Sequence, residues 1–76
     1  MAEYRFTGNR LREAREQHDP PLTRQELGDA VERSESMVTL WELDYRQPTV
    51  EILIALANAL GKRVEDFFVS ITEVPA

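Results

Sequence analysis

Thr23-Arg24-Gln25-Glu26-Leu27-Gly28, then Val31, then Ser34-Glu35-Ser36-Met37-Val38-Thr39-Leu40-Trp41-Glu42 is the stretch that decides the fold. Its opening is a capping box: the Thr23 hydroxyl and the Glu26 carboxylate each satisfy an otherwise unpaired backbone N–H of a first helical turn. The helix that starts there carries Leu27 and Val31 as an apolar stripe at i and i+4 and runs to about Glu32. Ser34 is the next N-cap, and Glu35 behind it suits the positive end of the helix dipole. Val38 and Trp41 form the inward pair of this next helix, Met37 flanks them, and it ends near Leu43. Only a residue or two around Glu32 and Arg33 join the two helices, too few for a roomy antiparallel hairpin, so they meet at a bend.

Upstream of this pair, Asn9 to His18 places Leu11 and Ala14 at i and i+3 among charged residues, an amphipathic helix that starts near Thr7 or Gly8. Asp19-Pro20-Pro21 stops it, because proline cannot continue a helix and Pro21 holds Pro20 extended. Downstream, Asp44-Tyr45-Arg46-Gln47-Pro48 is a polar loop. Thr49 and Glu51 then open a fourth helix with Ile52, Leu53, Leu56, Ala57 and Leu60 as its apolar run and Gly61 as its C-cap. Residues 64 to 68 read as a short fifth helix whose adjacent aromatics, Phe67 and Phe68, send at least one ring into the core. After it, Val69, Ile71 and Val74 alternate imperfectly with Ser70, Thr72 and Glu73, an extended segment or a strand, and a lone strand needs a partner.

The chain has 76 residues, 9 Lys+Arg against 14 Asp+Glu for a net charge of −5, 42% hydrophobic residues and no cysteine. That length is one domain, 1–76, with a small core and a thin stability margin. Without cysteine there is no disulfide framework, thiolate nucleophile or cysteine metal site, and a cytoplasmic chain is expected. The longest apolar stretch, Ile52 to Leu60, is interrupted by Asn58 and falls far short of the roughly 20 residues that span a bilayer. Met-Ala-Glu-Tyr-Arg-Phe lacks the apolar centre of a signal peptide, so no membrane partner is expected. His18 beside Asp19 is the only pair with a chemical look, and neither a metal site nor a nucleophile with its base can be assembled around it. No enzyme activity, cofactor or metal is expected.

The capped Thr23 helix with Glu26-Leu27-Gly28, the apolar Val31, Ser34 before Val38-Thr39-Leu40-Trp41-Glu42, and Pro48-Thr49 opening the next helix resemble the lambda-repressor and Cro type of helix-turn-helix family. The similarity continues through Leu53, Leu56, Ala57, Ala59-Leu60-Gly61 and Glu65-Asp66-Phe67-Phe68, about residues 8 to 68 in all. It implies an all-α, compact five-helix DNA-binding domain with a short C-terminal extended tail, and a motif over about 23–43. Four features depart from the family pattern. Glu32 stands where the turn usually has Gly, Arg33 where a small apolar residue packs, Asp44 replaces a Gly, and Asp19-Pro20-Pro21 lengthens the first connection. These could shift the angle between the motif helices.

By the same resemblance the second motif helix enters the DNA major groove and the first crosses the backbone. The base-facing positions are then Ser34, Glu35, Ser36, Thr39 and Leu40, although Ser34 also serves as a cap and Leu40 could instead cover core or an interface. Arg24 at a helix N-terminus, Tyr45, Arg46 and Gln47 in the following loop, and Arg10 on the first helix are the candidate phosphate contacts. Arg15 and Glu42 match a pair that the family uses as an internal ion pair. The implied function is a sequence-specific double-stranded DNA-binding regulator, repressor-type and homodimeric, with Phe68, Val69, Ile71 and Val74 as the candidate dimer contacts. Residues 25–48 carry six acids against two arginines, which keeps open a protein-interaction module on the same fold, an antirepressor or antitoxin-like partner.

Overall fold

In the computed structural model, which describes residues 3–71, every α-helix begins behind a hydroxyl side chain. Thr7 Oγ1 accepts from the Asn9 N–H at 3.3 Å and opens α1 (Gly8–Gln17). The reciprocal Thr23–Glu26 bonds, 3.0 and 2.8 Å, open α2 (Arg24–Ala30). Ser34 Oγ accepts from Met37 N–H at 3.1 Å ahead of α3 (Glu35–Glu42), and Thr49 Oγ1 accepts from Ile52 N–H at 3.3 Å ahead of α4 (Val50–Leu60). Each such cap is worth about 1 kcal/mol.

The last three helices also end alike. Arg33 N–H donates back to Gly28 O at 2.8 Å, Tyr45 N–H to Leu40 O at 3.0 Å, and Lys62 N–H to Ala57 O at 2.9 Å. In each case the preceding residue takes the left-handed conformation: Glu32 at φ 58°, Asp44 at 63° and Gly61 at 66°. This is the Schellman closure, which satisfies carbonyls that a helix end leaves orphaned. Glu32 and Asp44 therefore adopt the turn geometry of the glycines they replace, and the bend between α2 and α3 is kept.

The expected five-helix, all-α architecture needs correcting at both chain ends. Val64–Phe67 is a single 3₁₀ turn, not a fifth α-helix: four residues close one turn, capped by Asp66 Oδ2 on the Arg63 N–H at 2.9 Å. From Phe68 the chain is already extended. β2 (Phe68–Ser70) pairs antiparallel with β1 (Tyr4–Phe6), in the register Tyr4↔Ser70, Arg5↔Val69 and Phe6↔Phe68. Thr7 N–H to Phe67 O and Ile71 N–H to Glu3 O, both 2.9 Å, continue the contact at either end. The tail strand thus finds its partner within the chain, and Phe6 meets Phe68 edge to face at 6.2 Å.

Leu11, Leu27, Val38, Leu56 and Phe67 are completely enclosed, with Phe6 and Trp41 closing the core around them. Phe67 is the aromatic that enters; Phe68 stays half-buried. The start of α1 crosses the end of α3 so tightly that a Cβ on Gly8 would lie 2.2 Å from Trp41 O and 2.3 Å from Glu42 O. Only glycine permits that approach. Among the described residues no helix is long and apolar enough to cross a membrane.

Candidate nucleic-acid interface

The bend that presents α3 is made by α2. Gly28 lies so near the following turn that a Cβ would be 2.6 Å from Arg33 O, and Leu27 and Val31 pack against Val38 and Trp41 in the shared core. Burial on α3 is divided by phase. Val38, Trp41 and Glu42 are buried, while Glu35, Ser36 and Leu43 are exposed and Thr39 and Leu40 half-exposed. At about 100° per residue, these last five form one continuous outward face. Leu43, 54% exposed, extends that face by a turn; it reads in the sequence as a helix end because nothing in its own type says which way it points.

Behind the face, the Glu42 carboxylate is fully enclosed and holds two arginines. Arg15 grips it in bidentate fashion, Nε to Oε2 at 2.6 Å and Nη2 to Oε1 at 3.0 Å. Arg24 Nε adds a third bond to Oε1 at 3.0 Å. Arg15 also donates to Leu22 O at 3.0 Å, so one guanidinium ties α1, the segment before α2, and α3 together. The hydrogen bond to Glu42 raises the Arg15 guanidinium above its ordinary pKa, against a desolvation that lowers it. No buried side-chain polar atom among the described residues lacks a partner.

The candidate phosphate contacts fall into separate places. Arg24 sits beside Glu42 with its side chain 36% exposed, its Nε committed and neither Nη bonded to protein among the described residues. Tyr45, Arg46 and Gln47 are all exposed in the loop after α3. Arg46 and Gln47 share one depression with Arg33, Met37 and Thr49, which puts a cation at each end of α3 on the same side. Arg33 is a further candidate that sequence reasoning missed: it registers there as a misfit for an apolar position, and only the exposed turn shows it as a surface cation. Arg10 is not brought into this group; it lines a groove with Glu13, Gln17, Lys62 and Asp66 on another flank of α1. His18 serves the turn before α2, with Nδ1 2.8 Å from Pro20 O.

The candidate dimer contacts are split. Phe68 and Val69 are half-buried in the β1–β2 pairing, Ile71 is 48% exposed, and Val74 lies outside the described residues. Tyr4, Val64 and Phe68 line an apolar groove beside them.

A helix-turn-helix family model matches residues 11–67. Among solved structures, the chain is similar to the P22 c2 repressor protein, crystallised in complex with synthetic operator 9T in the presence of Tl+. Identity is 28%, over 80% of this chain and 89% of that one, with a TM-score of 0.71. No curated protein matches the chain significantly.

Proposed function

Because the chain belongs to the lambda-repressor and Cro-like helix-turn-helix family, we propose that it is a DNA-binding transcription regulator that reads a specific duplex site with α3, acting as a repressor-type homodimer. The observation that carries this reading is the outward face of α3, five side chains in one angular sector on the helix that the bend presents. With the outward face of α3 in the major groove and α2 across the backbone, Arg24, Arg33, Arg46, Tyr45 and Gln47 fall to the phosphates. Glu42 aligns Arg24 through Nε and leaves its two Nη groups for an anion. A single motif covers only a few base pairs, so specificity calls for two half-sites about one DNA turn apart and two copies of the chain. The β1–β2 end, with Phe68, Val69 and Ile71, is our candidate for joining them.

A titration against duplex DNA flanking its gene, at two salt concentrations, tests this. Affinity should fall with salt, and Arg46→Ala should reduce the log–log slope by about one, the signature of one lost phosphate contact. A duplex carrying one half-site should bind far more weakly than one carrying two. The net charge of −4 over residues 25–48, together with the diversion of Arg24 onto Glu42, favours a second reading, a protein-interaction module on the same fold. Absence of binding at low salt would select it.

A further inference from the structure

The outward face of α3 holds no cation and no amide. Its order is Glu35, Ser36, Thr39, Leu40 and Leu43. Arg or Lys on guanine and Asn or Gln on adenine are the strong bidentate readers of the major groove, and none is available here. The Thr39 hydroxyl is also spent as a donor: Oγ1 donates to Glu35 O at 3.2 Å, so toward DNA it offers lone pairs. An ionised Glu35 can only accept. Ser36 alone on this face keeps a free donor, and Leu40 and Leu43 add apolar surface.

Such a face has a definite complement. Guanine shows two acceptors, N7 and O6, which repel a carboxylate. Adenine offers its N6 amine beside the N7 lone pair, so a carboxylate gains one contact and suffers the other. Cytosine offers its N4 amine between C5–H and the O6 of its paired guanine, one flanking acceptor where the adenine amine has two, N7 and the thymine O4, and thymine places a methyl where an apolar side chain can cover it. Resting on the DNA-binding reading above, we infer that α3 selects its half-site through a cytosine N4 amine accepted by Glu35 and a thymine 5-methyl packed on Leu40, and that it rejects guanine under Glu35. The acidic first turn is then a specificity device: away from a cytosine amine, Glu35 faces phosphate charge with nothing to offset it.

The experiment selects binding duplexes from a random pool, then replaces single bases in the selected half-site. Pyrimidin-2-one in place of cytosine deletes only the amine, and uracil in place of thymine deletes only the methyl. One cytosine replacement should cost tenfold or more, about the discrimination of one good base contact, and one thymine replacement roughly fourfold, about one buried methyl. Glu35→Ala should erase the cytosine effect, and Glu35→Gln should shift the preferred base toward adenine. Retention of the wild-type base preference by Glu35→Ala, or indifference to amine deletion at every cytosine, overturns the inference and leaves sequence-specific binding intact. Failure to enrich any duplex overturns both.

Discussion

Glu35 and Glu42 stand seven residues apart on α3 and so point within about 20° of one another around the helix axis. One is exposed at the first turn; the other has a fully enclosed carboxylate with three bonds from two arginines. Angle cannot account for the difference. It lies along the axis, because Gly8 of α1 presses on the last turn of α3 and Arg24 closes over it, while the first turn stands clear beyond the bend. A helix anchored in a core at one end and open to solvent at the other is divided by length as well as by face, and its two glutamates mark the division.

The comparison breaks most readily at Glu42. Replacing it by Ala strands a buried Arg15 and frees Arg24, which should cost about 3 kcal/mol or more and lower the melting midpoint by more than about 12 °C. Glu42→Gln should lose much of the same, since an amide N–H would face guanidinium donors. Glu35→Ala, with the same side chain removed from the same phase, should stay within about 0.5 kcal/mol. Equal losses at the two positions would show that α3 is not divided as described. The raised Arg15 pKa keeps this pair's contribution complete below the guanidinium titration and removes it only above, so melting across the neutral range should show no step from Arg15.

Gly8→Ala tests the crossing that encloses Glu42. Helix propensity alone would make alanine the better residue by up to about 1 kcal/mol. The contact predicts the opposite sign, because the added Cβ meets backbone carbonyls at both Trp41 and Glu42, which no rotamer change can relieve. A loss of about 1–3 kcal/mol in urea unfolding is expected. Were Gly8→Ala to melt higher than the wild type, the end of α3 would not be held by α1, and the enclosure of Glu42 would need another cause.

The starts of α2, α3 and α4 were legible, because a hydroxyl cap is a local signal: Thr23 with Glu26, Ser34 and Thr49 each act within three residues. The core stripes were legible for the same reason. Two features of a different kind were not. The Tyr4–Phe6 strand exists only because Phe68–Ser70 lies beside it, a pairing across most of the chain that three residues cannot announce. The Glu42 node was anticipated in part, by family resemblance to the Arg15 pair and not by periodicity; its second arginine was assigned to DNA. Charge type marks a residue as a candidate for either role, and Arg24 is placed for both: its Nε lies 3.0 Å from an enclosed carboxylate while its side chain stays 36% exposed.

The smallest effect, and the sharpest in sign, concerns the two left-handed closures that bound α3. Glu32 and Asp44 have nearly the same φ, and the family resemblance marks both as standing where glycine is usual. Their side chains do different things. Asp44 Oδ1 accepts from the Gly8 N–H at 2.8 Å, capping the start of α1 at the crossing that encloses Glu42. The Glu32 carboxylate makes no hydrogen bond among the described residues, on the side of α3 where Glu35 stands clear. Glu32→Gly removes a left-handed penalty of about 1–2 kcal/mol and gives back part of it as unfolded-chain entropy, for a net gain of about 0.5–1 kcal/mol. Asp44→Gly relieves less strain, since aspartate tolerates this region better, and loses a hydrogen bond worth about 1 kcal/mol, so stability should hold or fall slightly. Paired urea midpoints measure both. A gain from both substitutions would reduce Asp44 to a bare turn residue and separate the start of α1 from the end of α3; opposite signs would fix the two ends of α3 as different by construction, one closed for anchoring and one left open for contact.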